Sequence, residues 1–466
     1  MIPKVDLLIV GAGPAGMSAA IEARKHGLTV MVMDEQPAPG GQIWRAVEAV
    51  ATNSRASLFG RAYLEGQEIC RQFRGSGATY FPNTRVWNIE NGQRIFASTE
   101  GKAFCVDTTE LILATGAQER PAPFKGWTLP GVLTVGAAQI LLKAANQVPK
   151  DPVWIVGSGP LALLYANQLL KAGGQIAGFV ETSPRTRPTT LFPRAAKAMA
   201  SAPGEILKGL GWVATVRRNA RYFPNATKIQ AHGNGVLEEL SFTTRAGRRQ
   251  SVKATTLLVH EGIVPSIHTT QSIGCDHLWD PDLYCHVPAI DDWGETSKCG
   301  VYVAGDGARI GGAQAACLRG KIAAIRVAVK SRKMTEAEAA RTIVPVRSKL
   351  KSALGTRPLL NALYRPCYDV LRPSDDVIVC RCEEKTAGEL RELGSHSAPD
   401  PNRVKIFSRA GMGPCQGRQC NATVTRLLAD LHGRSLTDIG LHRIRPPLKP
   451  LTLSELASLN NPEESA

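Results

Sequence analysis

Val5-Asp6-Leu7-Leu8-Ile9-Val10-Gly11-Ala12-Gly13-Pro14-Ala15-Gly16 joins a short, branched apolar run to a glycine-rich loop, and Met17-Ser18-Ala19-Ala20-Ile21-Glu22-Ala23 follows as a good helix former. A run of that kind forms a buried parallel strand. Gly11 permits the tight turn, Gly13 lets backbone approach a pyrophosphate, and Gly16 lets helix and strand pack closely, with Ala12, Pro14 and Ala15 as the intervening loop residues. The helix N-terminus then offers unpaired N–H groups and a positive dipole end to phosphates. A second apolar strand over 29–33 ends in Asp34-Glu35, 18 residues beyond Gly16, where a ribose-binding acid is expected about 20 residues on. Strand, loop, helix, strand and acid together predict a dinucleotide-binding fold.

The same order recurs. Val153-Trp154-Ile155-Val156 leads into Gly157-Ser158-Gly159-Pro160-Leu161-Ala162, a helical stretch to Lys171, and Gly178-Phe179-Val180-Glu181. Glu181 favours NAD over NADP, because a carboxylate pairs with a ribose hydroxyl and repels a phosphate, although Arg185 and Arg187 follow closely. Whether this second lobe binds a nucleotide or is a retained scaffold stays open, since a fold does not fix a function.

Eleven cysteines are many for a chain without the basic leader and cleavage site of a secretory signal, for which a cytoplasmic location is expected. Seven are scattered, and the other four form two close pairs, Cys380-Arg381-Cys382 and Cys415-Gln416-Gly417-Arg418-Gln419-Cys420. The 33-residue interval from Cys382 to Cys415 leaves room for a small helical unit that brings the pairs together. Four thiolates so placed suit a tetrahedral zinc or a 2Fe-2S cluster. No Cys-x-x-Cys lies near either nucleotide fold, which argues against thioredoxin-reductase chemistry, and Cys317 reads as a small hydrophobe.

The remaining features set limits. Apolar residues at 43% and charged residues at 21% describe an ordinary globular chain, and its 466 residues suggest about three domains. No apolar run approaches the roughly 18 to 20 residues needed to span a bilayer. The net charge of +16 is scattered, and no nucleic-acid-binding module is present. Residues 339–376 are basic and carry prolines at 345, 358, 366 and 373, which predicts a connector rather than a core; the Pro-rich stretch over 443–450 predicts a tail draped over its own domain or a partner. His26, His260 and His286 sit at expected strand or helix ends, where surface or capping roles are foreseen, and no general base pairs with a substrate clamp, so no catalytic residue is assigned.

Pro39-Gly40-Gly41-Gln42, Leu111-Ile112-Leu113-Ala114-Thr115-Gly116 and Gly300-Val301-Tyr302-Val303-Ala304-Gly305-Asp306-Gly307 resemble, in that order, FAD proteins of the glutathione-reductase type. That resemblance implies FAD in the first fold, held by Gly41, Gln42, Val86, Thr115, Gly116, Gly305 and Asp306, with a helix beginning at Gly312-Ala313 directed at the flavin pyrimidine. Gly411-Met412-Gly413-Pro414-Cys415-Gln416-Gly417 ahead of Cys420 resembles the bacterioferritin-associated-ferredoxin type of 2Fe-2S domain, which implies Cys380, Cys382, Cys415 and Cys420 as ligands. The order of parts, with Gly40 to Arg45 and Ala114 to Pro121, resembles the larger, A or alpha, subunits of bacterial heteromeric amino-acid and opine dehydrogenases. These include the opine oxidase A chain, the hydroxyproline and proline dehydrogenase alpha chains and the hydrogen cyanide synthase B chain.

The implied fold is α/β: two Rossmann-like three-layer nucleotide-binding folds of the glutathione/thioredoxin-reductase type, the second inserted in the first, plus a small C-terminal 2Fe-2S domain. Residues 1–125 and 276–335 would form the FAD domain, 126–275 the insert, 336–374 a linker, 375–435 the cluster domain and 436–466 a tail. The implied work is relay of electrons from a smaller, amine-oxidising flavoprotein subunit to an acceptor such as a quinone, in the cytoplasm or peripheral to the inner membrane. An FMN at a subunit interface and a small third subunit stay open. The alternative is an NAD(P)H-dependent reductase feeding a ferredoxin or oxygenase.

Overall fold

A computed structural model describes residues 4–52 and 55–460. Lys4–Val10 is flanked in parallel by Val30–Met33 and Lys102–Leu113, and Thr79–Phe81 and Val301–Val303 extend this parallel arrangement. An antiparallel wing of Arg94–Thr99 and Arg85–Glu90 completes the seven-stranded sheet. The central strands are buried on both faces, which is why they read as continuous apolar runs rather than alternating ones. Helix Pro14–Lys25 lies against helix Ala313–Lys330. A Cβ on Gly320 would sit 2.1 Å from the Ala15 carbonyl oxygen, so only glycine allows this crossing.

Residues 126–262 build the second fold around a five-stranded parallel sheet ordered Arg221–Phe223, Ile176–Glu181, Val153–Ser158, Leu257–Glu261, Val132–Thr134. A three-stranded antiparallel sheet, Thr227–His232, Glu239–Thr243 and Arg249–Lys253, packs beside it. The chain leaves and re-enters the first fold through paired antiparallel strands, Ala117–Glu119 and Ile263–Pro265. The return therefore precedes the expected boundary at 275: Ile273 and Cys275 already pack with Leu8, Leu111 and Val303 in the core of the first fold.

The linker expected over 336–374 is folded. Helix Glu336–Ala353 starts with a capping box in which Thr335 and Glu338 bond reciprocally, and its Ala339 and Ile343 bury against Ile322 and Ile325. Helices Arg357–Leu363 and Tyr368–Leu371 follow, with Pro358 in the first turn of the former, where a missing N–H costs nothing. A cap and a narrow apolar stripe thus outweigh the basic, proline-bearing composition.

The C-terminal unit packs helices Ala387–Ser395, Pro401–Ser408 and Asn421–His432 around Leu390, Val404, Leu427 and Leu428. It docks on the nucleotide folds through Trp127 Nε1 to the Ile378 carbonyl at 2.7 Å, Gln118 to the Arg418 carbonyl at 3.1 Å, and a Lys125–Asp376 ion pair at 2.7 Å. The tail does drape over its own chain: the Leu448 N–H donates to the Trp87 carbonyl at 2.7 Å, and Arg85 pairs with Glu455 at 2.6 Å.

Candidate functional site

The first glycine loop opens onto a cavity of about 1380 Å³. Gly11, Gly13, Pro14, Ala15, Asp34, Glu35, Gly41, Gln42, Val86, Thr115, Gly116, Gly305, Asp306, Gly312 and Ala313 all line it. Ala12 and Gly16 act from behind. A Cβ on Gly16 would lie 1.8 Å from the Gly11 carbonyl oxygen, so glycine there is a packing requirement. Gly13 has an ordinary φ of −78°, and a Cβ there would meet no atom of the chain closer than 3.7 Å. Its missing side chain leaves room for a ligand rather than for the fold.

The two acids that end the second strand divide the work. Asp34 is buried and braces the loop, accepting from the Ala12 N–H at 2.5 Å and the Gln36 N–H at 2.7 Å. Glu35 stands at the cavity edge and pairs with Lys449 of the tail at 2.7 Å. The Gly40-Gly41 turn presses against the loop from the opposite side: Gly41 has φ +60°, and a Cβ on it would be 2.9 Å from the Gly13 Cα. Asp306 accepts from the Gly311 and Gly312 N–H groups at 2.8 and 3.0 Å and so ties its turn to the N-terminus of helix Ala313–Lys330. A cavity lined by the glycine loop, the helix N-terminus that follows it and the acid-held turn at Asp306, which adjoins Ala15, fits FAD.

Sequence reasoning missed several cavity residues. Lys143 is buried, and its ammonium donates to the Gln42 and Ile43 carbonyls at 3.1 and 3.0 Å and to Gln139 at 3.1 Å. Burial, helped by nearby Arg45, brings its pKa down to about 7. Arg357, from the folded linker, also reaches the cavity; burial lowers its pKa, and nearby Asp306 counters that. His260 corrects the surface reading: it is buried, and its Nδ1 bonds Glu119 at 2.7 Å, whose other oxygen accepts the Gly136 N–H at 2.8 Å. His286 is buried too, packed edge-on to Trp279, whereas His26 caps its helix as expected. The Glu119 and His260 signal lay in Ala114 to Pro121, where Gln118 joins the C-terminal unit and the buried Arg120 binds the carbonyls of Glu261, Leu283 and Tyr284.

The second glycine loop has the expected backbone, with Gly157 and Gly159 at φ +132° and +126° and Pro160 opening the helix. Its surroundings differ. Neither glycine nor Glu181 lines the large cavity. The folded linker lies across the strand ends instead: Ser158 donates to the Arg365 carbonyl at 3.4 Å, Thr186 to the Ala362 carbonyl at 2.7 Å, and the Cys367 N–H to Glu261 at 2.9 Å. Glu261 is fully buried and takes a second bond from Thr182 at 2.6 Å, while Cys367 and Val370 enter the core of the second fold. Glu181 accepts from the Tyr222 hydroxyl at 2.7 Å.

The four paired cysteines are unbridged neighbours. Cys420 faces Cys380 and, with N–H groups of Gly411, Glu383 and Cys382, takes the Cys380 pKa down to about 6; Cys420 is pushed up in return. Cys382 and Cys415 face each other in the same way. A Cβ on Gly413 would lie 2.3 Å from the Cys382 Cβ, so glycine is what lets the second loop reach the first pair. Among the described residues no three His, Cys, Asp or Glu side chains gather tightly enough for a single metal ion.

Residues 5–331 match the pyridine nucleotide-disulphide oxidoreductase family, and residues 396–459 match the sarcosine oxidase A3 domain. The A chain of opine oxidase from Agrobacterium tumefaciens (strain Ach5) is 40% identical, with the match covering 97% of this chain and 92% of that protein. Hydrogen cyanide synthase subunit HcnB of Pseudomonas aeruginosa is 31% identical over 97% of this chain and 98% of that protein. L-Proline dehydrogenase from P. horikoshii superposes with a TM-score of 0.71 over 98% of this chain and 80% of that one at 19% identity, a likeness of fold.

Proposed function

The chain belongs to the pyridine nucleotide-disulphide oxidoreductase family and, within it, stands with the A chains of the opine oxidases, and from that premise we propose that it is the electron-relay subunit of a heteromeric dehydrogenase. It is an FAD-dependent oxidoreductase for CH–NH donors. A smaller flavoprotein partner oxidises a secondary amine, amino acid or opine, and this chain passes the electrons to an acceptor such as a quinone, peripheral to the inner membrane. FAD supplies chemistry that takes electrons in pairs and releases them singly, which suits a one-electron centre.

The observation that carries the reading is one continuous cavity. It runs from the Gly11–Ala15 loop past Asp306 to Gly417, Arg418 and Gln419, which lie between Cys415 and Cys420. Cys380, Cys382, Cys415 and Cys420 would hold a 2Fe-2S cluster. Their arrangement as two facing pairs, rather than a knot around one point, suits a centre with two irons, and the N–H groups directed at Cys380 are the kind that set its potential. The linker across the second loop supports the relay over the reductase alternative, which needs that loop accessible to NAD(P)H.

The test is turnover of amino acids and opines by the chain alone and copurified with its smaller partner. Turnover is expected only from the pair; full-rate oxidation by the isolated chain overturns the proposal.

A further inference from the structure

Helices Pro188–Ser201 and Pro203–Asn219, joined through Ala202, form a hairpin on the outside of the second fold, the first against helix Arg357–Leu363 and the second against helix Pro160–Lys171; only Ala198 in the first and Val216 in the second are buried. Water instead meets large apolar side chains: Phe192 is 79% exposed, Leu207 63%, Leu210 59% and Met199 43%. They are stripes, not scatter. Phe192, Ala196 and Met199 follow one exposed line on the first helix, and Leu207, Leu210 and Ala214 follow one on the second.

Charge on the hairpin is one-sided. Between 185 and 219 there are seven basic residues (Arg185, Arg187, Arg194, Lys197, Lys208, Arg217 and Arg218) against the single acid Glu205, itself 3.5 Å from Lys208. Seven cations against one acid beside an apolar stripe give this face the positive charge that an anionic headgroup layer complements. They match a helix lying in the plane of a bilayer, with apolar side chains in the headgroup boundary and long cationic ones reaching anionic headgroups. Neither helix is long and apolar enough to cross a membrane, so the hairpin would lie on the surface.

We propose that this hairpin docks the protein on an anionic lipid bilayer. The placement carries a functional consequence that rests on the relay reading. Lys208 and Trp212, on the second helix, line the large cavity, so docking there would bring that wall of the cavity toward the bilayer, the reservoir of a lipid-soluble acceptor.

The test is flotation of the flavin-loaded protein with vesicles of pure phosphatidylcholine or of phosphatidylcholine containing phosphatidylglycerol. Electron transfer plays no part in the readout, so it can fail or succeed independently of the relay. Binding is expected only with phosphatidylglycerol and should weaken as salt screens the headgroups. L207E/L210E should reduce it at least tenfold, and R194E/K197E should do likewise, with flavin content unchanged as proof of folding. The proposal is overturned if the wild-type chain ignores anionic vesicles at low salt or if L207E/L210E floats like wild type. It is also overturned if these variants keep vesicle binding but lose the smaller subunit on copurification, which would make the face a protein interface.

Discussion

The two glycine loops are close copies in sequence and differ in surroundings. Both follow a buried parallel strand, both open a helix through a proline, and both need glycine where a Cβ would strike a carbonyl oxygen: Gly16 against Gly11 at 1.8 Å, Gly157 against His260 at 1.9 Å. The first faces a cavity of about 1380 Å³, whereas the second faces the chain's own linker. A motif specifies the backbone that can hold a dinucleotide; only its surroundings decide whether space is left for one.

The sharpest way to break that contrast is to fill the space at the first loop. Gly13→Ala adds a methyl that meets no protein atom closer than 3.7 Å, so thermal stability should hold within about 0.5 kcal/mol while bound flavin falls by tenfold or more. A Gly13→Ala protein with full flavin would show that the loop is not the phosphate site. Cys380→Ser should lose the visible and EPR signals of the cluster and retain flavin absorbance; unchanged iron content would contradict the ligand set. Opening the second loop tests the other half. Tyr364, whose hydroxyl lies near Glu181, and Cys367, in the core of the second fold, belong to the covering linker; Tyr364→Gly with Cys367→Gly removes both side chains and should tighten NADH binding about tenfold by isothermal titration, provided a melting curve confirms folding, and no gain would mean that the linker is not what closes the loop.

The smallest expected effect concerns Lys143. Its folded pKa near 7 lies below the unfolded value near 10.4, so the unfolded chain binds the extra proton between these limits. Stability contributed by this group therefore rises with pH across that window and is lost as pH falls toward 7. Lys143→Met should flatten that rise and, by leaving the Gln42 and Ile43 carbonyls unpaired, destabilise the protein by about 1–3 kcal/mol; denaturant titrations at several pH values measure both.

What was legible in the sequence was local. Strand, glycine loop, helix and acid are adjacent in the chain, and so are the two close cysteine pairs with the glycines that let them meet. What was not legible depends on partners far apart in sequence. His260 meets Glu119 across 141 residues, Glu261 receives the Cys367 N–H across 106, and Lys143 binds carbonyls about a hundred residues earlier. Composition misled over 336–374 because the cap at Thr335 and the stripe of Ala339 and Ile343 involve few residues, and prolines that read as breaks include one that opens a helix.

The most direct test of the relay is an anaerobic titration of the protein copurified with its smaller subunit, followed in the visible, with NADH and with a panel of amino acids and opines added in turn. The account predicts that an amine or opine bleaches the flavin and then the cluster while NADH changes neither. Bleaching of the flavin by NADH alone would contradict it, because the second loop would then be a working site.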